Sequence, residues 1–251
     1  MRRLTAAAAL LLATTWTPAF GAADVVDRTA RAVAIASGGE IRVDATIADL
    51  TVTAADRADV QIDVERRAPA HADLEKFPVT IDGDGRTVHV SVIQQDEGRD
   101  ARLKSTIAIA APASVVFPSV RVFEGRVHLA NIRSAADVDV RRGQIDATRV
   151  SGRVRLESGI GGIDVRDGAL TPAGMMRLRV FNGPLRVRLG ERPANARILA
   201  VTLNGGITSD IPLTMRDKFG PRFGEATIGS GDPVLSMDVV KGDISLSAGT
   251  K

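Results

Sequence analysis

The feature that most constrains this chain is a repeated unit: two short alternating strands joined through a glycine. Val120-Arg-Val122 passes through Phe-Glu-Gly125-Arg to Val127-His-Leu129. Val138-Asp-Val140 passes through Arg-Arg-Gly143-Gln to Ile145-Asp-Ala147. Leu178-Arg-Val180 leads through Gly183 to Leu185-Arg-Val187, and Val239 leads through Gly242 to Ile244-Ser-Leu246. Each time the glycine is third among the linking residues. A sharp corner between strands needs a residue at positive φ, which glycine adopts without steric cost. Looser copies join Val154-Arg-Leu156 to Ile163-Asp-Val165, Val201-Thr-Leu203 to Ile207, and Val33-Ala-Ile35 to Ile41-Arg-Val43. The copies return about every 18 to 23 residues, the spacing of solenoid coils. One such unit cannot bury its apolar face alone, whereas stacked units bury a continuous core. The expected fold is all-β: a β-solenoid or β-helix-like stack of short strands with glycine corners.

The first half alternates as strictly but repeats less regularly. Leu50-Thr-Val52, Val60-Gln-Ile62-Asp-Val64, Val88-His-Val90-Ser-Val92 and Ile107-Ala-Ile109 read as half-buried strands. Asp82-Gly-Asp84-Gly85 reads as a hairpin turn between Val79-Thr-Ile81 and Val88. A β-sandwich of hairpins is the rival architecture for this part. The best helical candidate is 70–76, bounded by Pro69 and Pro78. The regular coils are expected from about 115 to 251, within one domain spanning 24–251.

Alternation points the middle residue of each triplet outward. In the first strands these are Arg121, Asp139, Arg155, Arg179 and Thr202; in the second, His128, Asp146, Asp164, Arg186 and Thr208. Parallel stacking would place Arg121, Asp139 and Arg155 in a ladder of alternating charge, each pair contributing about 0.2–1 kcal/mol.

Residues 1–21 read as a secretory signal peptide: Arg2 and Arg3, an apolar run from Leu4 to Thr15, then Pro18 and small residues for cleavage near Gly21 to Ala23. The run is shorter than the ~20 residues that span a bilayer, and no later stretch is long enough. Without Arg2 and Arg3 the formal charge falls from +3 to +1, which argues against a nucleic-acid binder. The chain has no cysteine, so an exported fold would rest on packing and hydrogen bonds rather than disulfides. The periplasm is the preferred compartment, with the cell surface or medium as alternatives.

These repeated corners resemble the DUF4097 family of bacterial exported proteins, which carry an adhesin label and are related to the head-GIN-domain proteins. The C-terminus carries the resemblance best: Lys218-Phe-Gly-Pro-Arg-Phe-Gly-Glu-Ala-Thr-Ile-Gly-Ser-Gly-Asp, then Val234 to Leu246. It implies a β-solenoid-like fold and supplies no catalytic residues.

The chemistry-bearing residues are sparse. Asp82 and Asp84 lack the third acidic ligand and closing Glu of a calcium loop. His71, His89 and His128 show no metal-binding spacing, and no Gly-x-Ser-x-Gly elbow is present. No catalytic, metal or cofactor residue is assigned. The candidate interaction surface comprises Arg121, Asp139, Arg153 and Arg155 on the strands, with Phe219 and Phe223 in a loop that reads as a partner-binding tip or, preferably, an end cap. The leading function is a non-catalytic envelope scaffold or adhesion-type protein whose partner is another envelope protein. The alternatives are a glycan-acting β-helix enzyme using Asp146, Asp164, Arg155 and Arg186, and a binder of anionic envelope glycans through Arg141, Arg142, Arg149, Arg153 and Arg155. The absence of Trp and Tyr from the chain after residue 21 weighs against sugar platforms.

Overall fold

The computed structural model describes residues 24–95, 100–216 and 220–249. The signal-peptide reading over 1–21 and the candidate Phe219 lie outside the described residues. The rest is all-β, apart from a five-residue helix α1 (His71–Glu75) that buries Leu74 in the segment bounded by Pro69 and Pro78.

Strands β1 (Val25–Ala34), β2 (Glu40–Ala55), β3 (Asp59–Ala68), β4 (Val79–Gly83), β5 (Thr87–Val92) and β6 (Lys104–Pro112) form the first part. They are followed by β7 (Val116–Glu124), β8 (Val127–Ala130), β9 (Ala136–Thr148), β10 (Arg153–Gly168), β11 (Met175–Asn182) and β12 (Leu185–Leu189). Then come β13 (Ala196–Asn204), β14 (Ile207–Ser209), β15 (Thr214–Arg216), β16 (Arg222–Ile228), β17 (Val234–Lys241) and β18 (Ile244–Ala248).

The pairings build two ladders. One runs β4-β5-β2-β7-β9-β10-β11-β17-β13-β16-β15, and the other β1-β3-β6-β2-β8-β9-β10-β12-β18-β14. The long strands β2, β9 and β10 belong to both, so they cross from one ladder to the other. Most steps are parallel; antiparallel pairing is confined to β1, β3, β4, β15 and β16 and their partners. Inward residues form unbroken apolar rows. In the first ladder Val43, Val120, Val138, Leu156, Leu178, Met237 and Ala200 are in register, and all are fully buried. In the second, Leu50, Val127, Ile145, Ile163, Leu185, Ile244 and Ile207 are in register. Each fully buried aliphatic of this kind contributes about 1.5–3 kcal/mol.

The corner glycines stack. Gly125, Gly143, Gly161, Gly183 and Gly242 have φ between 139° and 149°. A Cβ at Gly125 would meet the Ala48 carbonyl oxygen at 1.9 Å, and one at Gly143 the Gly125 oxygen at 1.7 Å. At Gly161 it would meet the Gly143 oxygen at 1.8 Å, and at Gly183 the Gly161 oxygen at 1.2 Å. At Gly242 it would meet the Gly183 oxygen at 2.0 Å, and at Gly205 the Gly242 oxygen at 1.9 Å. The column therefore runs Ala48-Gly125-Gly143-Gly161-Gly183-Gly242-Gly205. Buried hydroxyls close its carbonyls: Ser158 Oγ donates to Gly143 O at 3.0 Å and Thr202 Oγ1 to Gly242 O at 2.9 Å. At the second bend Asn131, Arg149 and Asp167 have φ of 62°, 54° and 52°, and Arg149 Nε donates to Asn131 Oδ1 at 2.7 Å.

Three expectations change. Spatial order is not chain order: β17 lies between β11 and β13, and β18 between β12 and β14. The Val33 to Ile41 copy is not a corner of the column. Its Gly38 has open space around it, and β1 pairs antiparallel with β3. Ile41-Arg-Val43 and Leu50-Thr-Val52 instead belong to one strand, β2, which crosses the corner at Ala48 and lies between β5 and β7. Thr202 points inward, fully buried opposite Val239, because its strand keeps the phase of Ile198 and Ala200 and turns Leu203 outward. The 82–85 segment is a hairpin turn, with β4 antiparallel to β5 and the Asp84 carboxylate accepting N–H from Arg86 and Thr87.

Gly143→Ala is expected to destabilise the protein by about 3 kcal/mol or more, since it combines a disfavoured φ with a backbone clash. Gly85→Ala, where a Cβ has open space, should lose only about 1 kcal/mol. Thr202→Val should lose about 1 kcal/mol through the orphaned Gly242 carbonyl. Urea unfolding of the three variants tests the ranking.

Candidate interaction surface

The outward face of the first ladder collects the predicted strand residues. Two polar rows cross it. One runs Asp44, Arg121, Asp139, Glu157, Arg179 and Asp238. The other contains Asp137, Arg155, Arg177 and Ser236. Arg121 does stand opposite Asp139, but the next rung of that row is Glu157. Arg155 lies one outward position back, opposite Asp137. β9 and β10 pair eighteen residues apart, which carries Asp137 to Arg155 and Asp139 to Glu157. Arg155 is bonded to Asp137 at 3.3 Å and to Glu157 at 3.2 Å. These pairs are half exposed and contribute at most about 1 kcal/mol each. Arg153 is exposed at the start of β10, opposite Met175.

Asp139 is the perturbed carboxyl of this face. Burial pushes its pKa above the usual carboxylate range, and Glu157 opposite pushes the same way, against the pull of Arg141 and Arg121. Asp137 holds the Arg155 guanidinium charged, raising its pKa further. Beside Asp139 lies an open depression of about 530 Å³, bordered by Asp44, Arg121, Arg141, Phe123 and Ile93.

The second ladder aligns the other predicted outward residues. Thr51, His128, Asp146, Asp164 and Arg186 are in register, with Ser245 between Arg186 and Thr208. Arg155 is not among them, because it belongs to the opposite ladder, so the four-residue cluster considered for an enzyme is split between two faces. Asp164 is paired to Arg166 at 2.7 Å. His89 contacts Asp44 at 2.9 Å. Among the described residues no group of three or more His, Asp or Glu could hold a metal ion.

Phe223 sits on β16, opposite Val201 on one side and Arg216 on the other, and the Arg216 guanidinium lies 5.9 Å from its ring. β15 and β16 pair antiparallel along the outer side of β13, which ends the run of parallel strands. Sequence reasoning missed the exposed Ile160, Phe181 and Leu203. The signal was a phase change at the corners, where alternation breaks and inward parity no longer predicts burial.

The fold has a solved counterpart. A protein from Clostridium sporogenes described as a "putative cell adhesion protein" superposes with a TM-score of 0.52 at 8% identity, covering 90% of this chain and 100% of that one. A "putative adhesin" from Bacteroides fragilis aligns over 88% of this chain and 97% of its own, at 13% identity and a TM-score of 0.34. The first likeness is one of fold. No family model matches the chain, and no curated protein matches it. Among the described residues no helix is long and apolar enough to cross a membrane.

The raised Asp139 pKa has a definite sign. The folded state penalises the ionised carboxylate, so this group lowers stability at neutral pH, and the penalty disappears as pH falls through the raised value. Asp139→Asn should therefore raise the unfolding temperature near pH 7 and leave it unchanged below about pH 3.9, the ordinary Asp value. A Tm series across pH checks this.

Proposed function

We propose that this chain is an exported, non-catalytic interaction protein of adhesion type, built as a β-solenoid-like stack that offers a broad strand face to another envelope protein. The observation that carries the reading is the first-ladder face itself. It is a lattice of charged side chains, exposed arginines interleaved with half-buried acids, over a fully buried apolar row, and Arg177 and Arg179 stand exposed in adjacent outward positions of β11. Such a face suits recognition by charge complementarity, which sets specificity and encounter rate more than affinity. Export rests on the signal-peptide pattern of residues 1–21, and the periplasm is the compartment preferred within this reading.

A photo-crosslinking residue placed at Arg179 in living cells is expected to trap a defined envelope protein, while the same residue at Ser245 on the opposite ladder traps none. Equal adducts from both positions, or none from Arg179, would sink this reading. Mass spectrometry of the protein recovered from the producing cells should find a new N-terminus between Gly21 and Asp24.

Asp139 favours a second reading, that of a glycan-acting enzyme. A carboxyl whose pKa is raised by burial, bordering an open depression, is one feature that a general acid needs. Release of reducing ends from envelope polysaccharide by the native protein, abolished in Asp139→Asn, would establish this reading in place of the first.

A further inference from the structure

The corner column has an outer rim that the charged-face reading does not use. Two adjacent rows run along it. Phe123, Arg141, Gly159, Phe181, Val240 and Leu203 form one, and Glu124, Arg142, Ile160, Asn182, Lys241 and Asn204 the other. Successive strands lie about 4.8 Å apart, so five steps make an edge about 24 Å long. Large apolar side chains stand out from it: Phe181 is 61% exposed, Ile160 54% and Leu203 49%. The core does not need them there, since its own rows are complete beneath.

Gly159 leaves a gap in the first row. A Cβ there would meet the Arg141 carbonyl oxygen at 2.5 Å, so the position stays bare. The result is a depression of about 390 Å³ between Phe123 and Phe181, walled also by Ile160, Arg141, Arg142 and Glu157. The Arg142 guanidinium lies 5.8 Å from the Phe123 ring, and Glu157 is already held by Arg155 at 3.2 Å. Arg141, Arg142 and Lys241 thus outnumber the remaining Glu124 on the same two rows, and the rim is both apolar and cationic.

We propose that this rim docks onto the surface of an anionic lipid bilayer. Protruding Phe, Ile and Leu interleaved with Arg and Lys match the boundary between phosphate headgroups and acyl chains: the apolar groups enter the boundary while the cations stay at phosphate level. A soluble anionic glycan would satisfy the arginines and leave Phe181, Ile160 and Leu203 in water. The rim adjoins the charged face, since Phe123 and Arg141 border the depressions on both, but Phe181, Ile160 and Leu203 lie outside that face, so loss of those apolar side chains tests the rim alone.

The test is co-sedimentation of the purified protein with vesicles. Binding is expected to phosphatidylcholine vesicles containing about a third phosphatidylglycerol and to be about tenfold weaker to phosphatidylcholine alone. Phe181→Ser with Leu203→Ser should cut binding to the anionic vesicles about tenfold with the unfolding temperature unchanged, because both side chains are exposed. Arg141→Ser with Arg142→Ser should also cut it, and supplies an independent variant should the first fail to fold. No binding to anionic vesicles overturns the proposal. So does full binding by the apolar variant, and displacement of that variant by a soluble anionic polysaccharide would assign the rim to glycan recognition instead.

Discussion

The structure depends on one close contact: the backbone of each corner lies against the carbonyl of the corner beneath it. From Gly125 to Gly205 the approach leaves no room for a Cβ. Backbone hydrogen bonds run through the same region, as from Gly125 N–H to Arg142 O, Gly183 N–H to Lys241 O and Gly242 N–H to Asn204 O, each at 2.9 Å. Parallel strands at normal spacing can therefore turn together without breaking the ladder. Because the corners superpose, the apolar rows on either side superpose as well, and the core becomes a continuous strip. Among the described residues buried polar groups are few, and Ser158 and Thr202 serve the corner itself.

That rigid support explains how a chain without disulfides can display charges in fixed rows. It also explains why the surface chemistry is decided by register. Asp139 meets Glu157 because two strands pair eighteen residues apart, so burial first, and then the like charge of Glu157, pushes that carboxyl upward. Arg155, two residues before Glu157, meets Asp137 instead. At the corners the same register lines up Phe181 with the bare Gly159, producing an apolar rim where strict alternation would predict polar residues.

The ends of the stack are handled differently from its middle. β15 and β16 pair antiparallel beside β13, and β1, β3 and β4 do so at the other end. Antiparallel pairs of this kind stand where the run of parallel neighbours ends, and two of them, β4–β5 and β15–β16, join consecutive strands.

Much was legible in the residues alone. Alternation with glycine in fixed place announces strands and corners, because side-chain parity and positive φ are local properties. Val138, Ile145, Leu178 and Leu185 could be assigned to the core on that basis, and 82–85 to a turn. What stayed hidden was non-local. Nothing in Val234–Leu246 says that it inserts between the β11–β12 and β13–β14 units, since every unit carries nearly the same apolar pattern. Nor does Ala48 announce itself as a member of the glycine column; it stands at the end of that column, where no corner beneath demands a glycine. Thr202 and Leu203 exchanged roles because parity is set by the whole strand, not by the triplet. The sequence by itself determined the elements, their corners and the apolar strip, through backbone sterics and alternation. Only the tertiary structure decided the order of stacking, the partner of each charge and the apolar rim, because these depend on which of several equivalent neighbours each strand finds.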